Sequence, residues 1–178
     1  MKLLKTIRLD PSDTFIFPVA AEPGEWAISG AFMFADCDPA ALEGAARAAF
    51  RGGFLGIPSF GFSTLAQIVE TDAAGRADAV ARLAQGLIDR FGAPDRRAAE
   101  VAAEEEIAFA ASLCQHPPGT LIAVHRTSED GAVRETFRTL LPAQGVRPQR
   151  VFEFVEVDEE ADGADTIDLA ALARGEPR

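Results

Sequence analysis

The chain has no tyrosine, and only two lysines, two histidines, two cysteines and one tryptophan among its 178 residues. Each shortage removes a class of chemistry. Without tyrosine there is no phenol for acid–base work. Lys2 and Lys5 both lie near the start of the sequence, a poor place for a Schiff-base amine. Cys37 and Cys114 make no disulfide framework, so a reduced, cytoplasmic setting is expected. No apolar run approaches the roughly 18 residues of a membrane span. Residues 1–8 lack the apolar core of a signal peptide. Cations are scarce as well: the net charge is −11 and the isoelectric point about 4.6. That argues against nucleic acid, whose phosphates need clustered Lys and Arg, and against an anionic membrane surface. No G-x-G-x-x-G, Walker or G-x-S-x-G pattern occurs. Neither does a His-x-Glu or Glu-x-x-His pair.

What is present suits a globular core. Hydrophobic residues make up 48 % of the chain, enough for one domain. Residues 1–157 are expected to form it, and the acidic residues 158–178 a flexible tail. Strands are expected at 3–9, 14–19, 26–35, 62–69, 120–127, 133–141 and 151–157. A first helix is expected from Asp38-Pro39, where Asp38 caps free amides and Pro39 fits the first helical position. Two more are expected at 75–91, capped by Gly92, and from Pro94 to about residue 115. Asp130-Gly131 suits a two-residue hairpin turn. Counting back from it pairs Val124 with Phe137 and Arg126 with Glu135, one apolar pair and one of opposite charge. The expected fold is α+β: a mostly antiparallel sheet of about six or seven strands with three helices.

Residues 51–62, with four glycines and five large apolar side chains, are too broken for a helix and too apolar for an ordinary solvated loop. Their first reading is a buried crossover that packs Phe54, Leu55, Ile57, Phe60 and Phe62 into the core. Their second is an apolar wall for a partner or ligand, with Phe54, Leu55, Ile57 and Phe60 as the binding residues. A phosphate cradle comes last, since these glycines follow a helix and precede a strand, the reverse of a dinucleotide turn.

Glu106 falls near the centre of an apolar helical face made by Ala99, Ala102, Ala103, Phe109, Ala110, Leu113 and Cys114. A desolvated carboxylate could act as a general acid or base. The plainer readings are an Arg partner, a narrower apolar face, or a side chain that reaches water. His125 is the other weak catalytic candidate, with a second-face surface histidine as its plain reading. Cys114, His116, His125 and the distant Cys37 match no standard metal spacing, so no metal or other cofactor is expected. Cys114 on an apolar face reads as inert packing rather than a nucleophile.

Two segments carry a resemblance: residues 5–15, Lys-Thr-Ile-Arg-Leu-Asp-Pro-Ser-Asp-Thr-Phe, and residues 53–62, Gly-Phe-Leu-Gly-Ile-Pro-Ser-Phe-Gly-Phe. Through them the chain, over about residues 1–157, resembles a family of uncharacterised, mainly alphaproteobacterial proteins. The resemblance supplies no catalytic residue and implies an accessory role. Taken together, these readings point to a cytoplasmic accessory or binding protein acting through a protein partner or as a homodimer. The alternative is a small-molecule binder or enzyme using Glu106 beside the Gly-rich segment.

Overall fold

A computed structural model describes residues 1–129, 132–142 and 154–157. It has the α+β fold, built on one eight-stranded sheet in the order β4-β3-β2-β1-β5-β6-β7-β8. The strands are β1 (Lys2–Ile7), β2 (Trp26–Ile28), β3 (Phe54–Ile57), β4 (Phe62–Ser63), β5 (Leu65–Glu70), β6 (Leu121–Glu129), β7 (Ala132–Pro142) and β8 (Phe154–Val157). Every pairing between neighbours is antiparallel. The helices are α1 (Asp13–Ile16), α2 (Gly44–Gly52), α3 (Ala73–Phe91) and α4 (Arg96–Ser112).

The two long helices start and stop where their chemistry dictates. Asp72 accepts from the Gly75 amide at 2.8 Å, and Asp95 from the Ala98 amide at 2.8 Å, each satisfying a donor without an intrahelical partner. Gly92 ends α3 in the left-handed conformation at φ +66°, which glycine adopts at little cost. The Arg76–Glu104 ion pair ties α3 to α4 at 2.5 Å. In α3, Val80, Leu83, Ala84 and Leu87 are buried as the periodicity requires. Ala79 and Gly86 are buried as well, and Ala77 and Phe91 are exposed. At Gly86 a side chain would strike the Phe60 ring.

Three expected elements take another form. The strand foreseen at 14–19 is the single turn α1. Thr14 Oγ1 donates to the Pro11 carbonyl at 2.6 Å, and the buried Asp13 carboxylate accepts from Thr64 Oγ1 at 2.6 Å. These local bonds offer the backbone an alternative to a strand ladder. The strand foreseen at 26–35 stops at Ile28. Gly30 turns left-handed at φ +76° and a short 3-10 turn, Ala31–Phe34, follows. The helix foreseen from Asp38 begins in earnest at Gly44; Asp38 caps only a brief 3-10 turn, Pro39–Ala41.

The Gly-rich stretch contains an element missed by pattern: β3, four residues buried on both faces. A strand with two buried faces shows no alternation, and so no period-two signal. Its glycines mark close approach. At Gly53 a Cβ would lie 2.7 Å from the Phe62 ring, and at Gly56 2.7 Å from the Ala21 side chain.

The sheet curls enough for β3 to meet β7, five places away. The Phe54 and Phe137 rings lie 6.2 Å apart. The hairpin register is the expected one, Val124 opposite Phe137 and Arg126 opposite Glu135. The Asp130-Gly131 turn and the acidic tail lie outside the described residues.

Candidate functional site

Strand alternation governs the chemistry of β6. Ile122, Val124 and Arg126 share one face and are all buried, Arg126 completely. His125 points to the other face and is exposed, since successive strand residues project to opposite sides. A guanidinium thus occupies a position that the pattern assigns to the core.

Its surroundings explain how it is tolerated. Arg126 Nε donates to Glu135 Oε1 at 2.7 Å. Nη1 donates to the carbonyls of Gly53 at 2.9 Å and Phe50 at 3.1 Å. Nη2 donates to the Ser29 carbonyl. Ser29 Oγ, also buried, donates to Glu135 Oε1 at 2.5 Å. The guanidinium lies 5.9 Å from the Phe34 ring centroid. One side chain therefore fastens the end of α2, the start of β3, the end of β2 and β7. The Phe50 carbonyl belongs to the last turn of α2, where carbonyls lack intrahelical donors and a cation is favoured.

This cluster is a structural hub. The guanidinium donors are directed at protein atoms, and the group has no exposed surface, so a ligand cannot reach it. Burial lowers the Arg126 pKa, while the Glu135 charge and hydrogen bond oppose that shift and Glu106 adds to the opposition.

Glu106 on α4 borders the hub. It is half-buried, at the margin of a helical face whose buried residues are Ala99, Ala103, Ile107 and Ala110. The apolar face is narrower than the helical wheel implies, because Phe109 is 40 % exposed. Burial raises the Glu106 carboxyl above its ordinary range, the Glu135 charge adds to this, and Arg126 opposes it. Glu106 makes no hydrogen bond among the described residues. A carboxyl raised by folding binds its proton more tightly in the native state. Its contribution is most favourable at low pH and is lost as pH rises through the native pKa. Glu106→Gln should therefore stabilise the protein at pH 7 and change little near about pH 4, where the carboxyl is largely protonated. Paired thermal melts at the two pH values check this; equal effects at both would contradict it.

The other sequence candidates do not converge on Glu106. His125 opposes Thr136 across the hairpin. Its pKa is lowered by partial burial and by the charges of Arg51 and Arg138. Alternation directs it away from Arg126 and Glu135, the groups that Glu106 borders. Cys114 is packed in the core, its thiol pushed up to about 11 by burial. Cys37 is exposed. Among the described residues no group of three or more His, Cys, Asp or Glu side chains is placed to hold a metal ion. No described helix is long and apolar enough to cross a membrane.

The expected apolar wall of the Gly-rich segment has almost no surface of its own. Phe54 and Leu55 are 0 % exposed, Ile57 1 % and Phe60 6 %. Their first reading, core packing, is the one the structure displays.

Exposed apolar surface lies elsewhere, on the segment around α1. Phe15 is 82 % exposed, Val19 55 %, Leu9 45 % and Ile16 42 %. No sequence signal separates these residues from core residues, because a large apolar side chain reads as buried by default. The backbone beneath them is fixed. Asp13 bonds Thr64, Phe17 is buried against the Phe62 ring, and Arg8 Nη2 donates to the Ala21 carbonyl at 2.6 Å. The chain anchors itself at Asp13 and Phe17 and turns Phe15 outward between them.

Comparison with known proteins gives one match. Residues 1–156 fit the model of a Family of unknown function (DUF6505). No curated protein and no solved structure matches the chain. The family match spans the described structure from β1 into β8, and the chain belongs to DUF6505.

Proposed function

We propose that this protein is a cytoplasmic accessory protein that binds a partner protein through the apolar surface of Leu9, Phe15, Ile16 and Val19. The carrying observation is Phe15, 82 % exposed on a turn held by buried anchors. Exposed apolar clusters rimmed by polar groups mark interaction surfaces. An aromatic side chain held ready by its backbone loses little freedom on binding, and aromatic anchors dominate binding energy at interfaces. The fitting partner presents an apolar recess that takes the phenyl ring. The polar hub offers no competing reading, because its guanidinium is sealed and Glu106 and His125 do not converge.

Phe15→Asp and Val19→Asp each place a charge on this surface without touching the core. Capture from the native cell should recover a partner with the wild type and with Val101→Asp, a control on an exposed position of α4. It should lose that partner, by tenfold or more, with Phe15→Asp. Burying a charge at an interface centre costs several kcal/mol, and about 1.4 kcal/mol is tenfold. Equal recovery by all four proteins would refute the assignment. A partner that proves to be a second copy of this chain would appear as a concentration-dependent mass in sedimentation.

A further inference from the structure

Helix α4 turns one side to the core and the other outward. Its buried residues are Ala99, Ala103, Ile107 and Ala110. At about 100° per residue, Val101 lies opposite that buried side, and it is 54 % exposed. Arg97 and Glu105 stand one turn before it and one turn after it, both exposed. Between them lies an open depression of about 410 Å³, lined by Asp95, Arg97, Ala98, Val101, Ala102 and Glu105. Its middle is apolar and small, and opposite charges stand on either side of Val101.

The neighbouring charges are already engaged within the chain. Arg96 pairs with Glu100 at 2.8 Å, and Glu104 with Arg76 of α3 at 2.5 Å. Arg97 and Glu105 make no ion pair or hydrogen bond among the described residues. About 12 Å of helix separates them. A two-fold axis at Val101 brings such groups together. In an antiparallel pairing of two α4 helices, Val101 meets Val101, and Arg97 of each copy stands beside Glu105 of the other. Positions 97 and 105 are equally far from 101, so the match is reciprocal. Ala98 and Ala102 are small enough for the two backbones to approach. A parallel pairing would set Arg97 beside Arg97 and Glu105 beside Glu105, and like charges repel.

We propose that this face of α4 is a self-complementary surface through which two copies of the chain pair, antiparallel, about a two-fold axis at Val101. A two-fold contact uses the same patch on both copies, so the patch must complement itself. Chains of net charge −11 repel one another at large. A contact between copies therefore needs a place where opposite charges meet, and Arg97 with Glu105 supplies two such pairs. A contact made by one stretch of helix falls below the about 1,000 Å² of a stable interface, so the pairing is reversible and depends on concentration. It shares no residue with the surface of Leu9, Phe15, Ile16 and Val19.

Sedimentation equilibrium of the full chain over a range of concentrations tests this. The wild type should shift from one chain of 18.9 kDa toward twice that mass as concentration rises. Arg97→Glu and Glu105→Arg should each weaken the pairing by about tenfold or more, because the two-fold makes every charge reversal act twice. The double variant, Arg97→Glu with Glu105→Arg, should pair as the wild type does, since the opposite charges are restored with their positions exchanged. Phe15→Asp should leave the pairing intact. A wild type of one-chain mass at every concentration would overturn the proposal, as would single and double variants that pair equally. So would self-association lost with Phe15→Asp but kept with Arg97→Glu, which would put the contact between copies on the other surface.

Discussion

Replacing Arg126 with Ala should destabilise the protein by about 3–5 kcal/mol, the cost of leaving one member of a buried pair without its partner. The substitution strands several groups at once. Glu135 loses a bond of 2.7 Å and keeps its charge with only 15 % of the side chain exposed. The carbonyls of Phe50, Gly53 and Ser29 lose their donor, and each buried unsatisfied polar group costs about 1–3 kcal/mol. The lost packing against Phe34 adds to this. Urea unfolding followed by circular dichroism gives the value. Arg126→Met combined with Glu135→Leu should recover much of it, because removing both charges avoids the desolvation cost that the single change exposes. If Arg126→Ala lowered stability by less than about 0.5 kcal/mol, the usual range for a surface change, the hub would not be holding β2, β3, β7 and α2 together.

Phe54→Ala should cost about 3–5 kcal/mol, as expected for truncating a fully buried phenylalanine. Phe15→Ala should cost no more than about 0.5 kcal/mol, since surface changes away from special contacts are nearly neutral. The two residues are the same type and differ only in place. Phe54 is 0 % exposed in a central curl of the sheet, with its ring against Phe137. Phe15 is 82 % exposed. Equilibrium unfolding of both variants separates their roles. A comparably large loss for Phe15→Ala would mean that Phe15 is a core residue, and the proposed surface would fail; a comparably small loss for Phe54→Ala would mean that Phe54 is not.

Much of this architecture is legible in the sequence where one face is wet and the other dry. The hairpin register follows from Asp130-Gly131 and the alternation on either side, and Val124–Phe137 and Arg126–Glu135 are the pairs observed. Helices α3 and α4 declare themselves through spaced apolar residues, Gly92 and Pro94, whereas the N-caps Asp72 and Asp95 emerge only from the structure. Where both faces are dry the pattern vanishes, and β3 reads as a broken loop although all four residues are buried. Local hydrogen bonding overrides apolar content at α1, and a left-handed glycine overrides alternation after Ile28.

The candidate site is less legible. Arg126 pairs correctly with Glu135 on charge alone, but its burial depends on the curl that brings Gly53 to it. A hint exists in hindsight: Ile122, Val124 and Arg126 occupy one face, so the cation sits third in an apolar series. Glu106 is located correctly on α4, though at the edge of the apolar face rather than its centre. Phe15 carries no sequence mark at all, because its exposure follows from Asp13 and Phe17 being anchored on either side.

Partner binding through the proposed surface at Phe15 has a direct readout. A photo-crosslinking amino acid at position 15 of the full chain in its native cell tests it most directly, beside the same residue at Val101. A discrete crosslinked protein is expected from position 15, absent from position 101 and suppressed when Val19→Asp is added. No crosslink from position 15, or the same products from both positions, would contradict it.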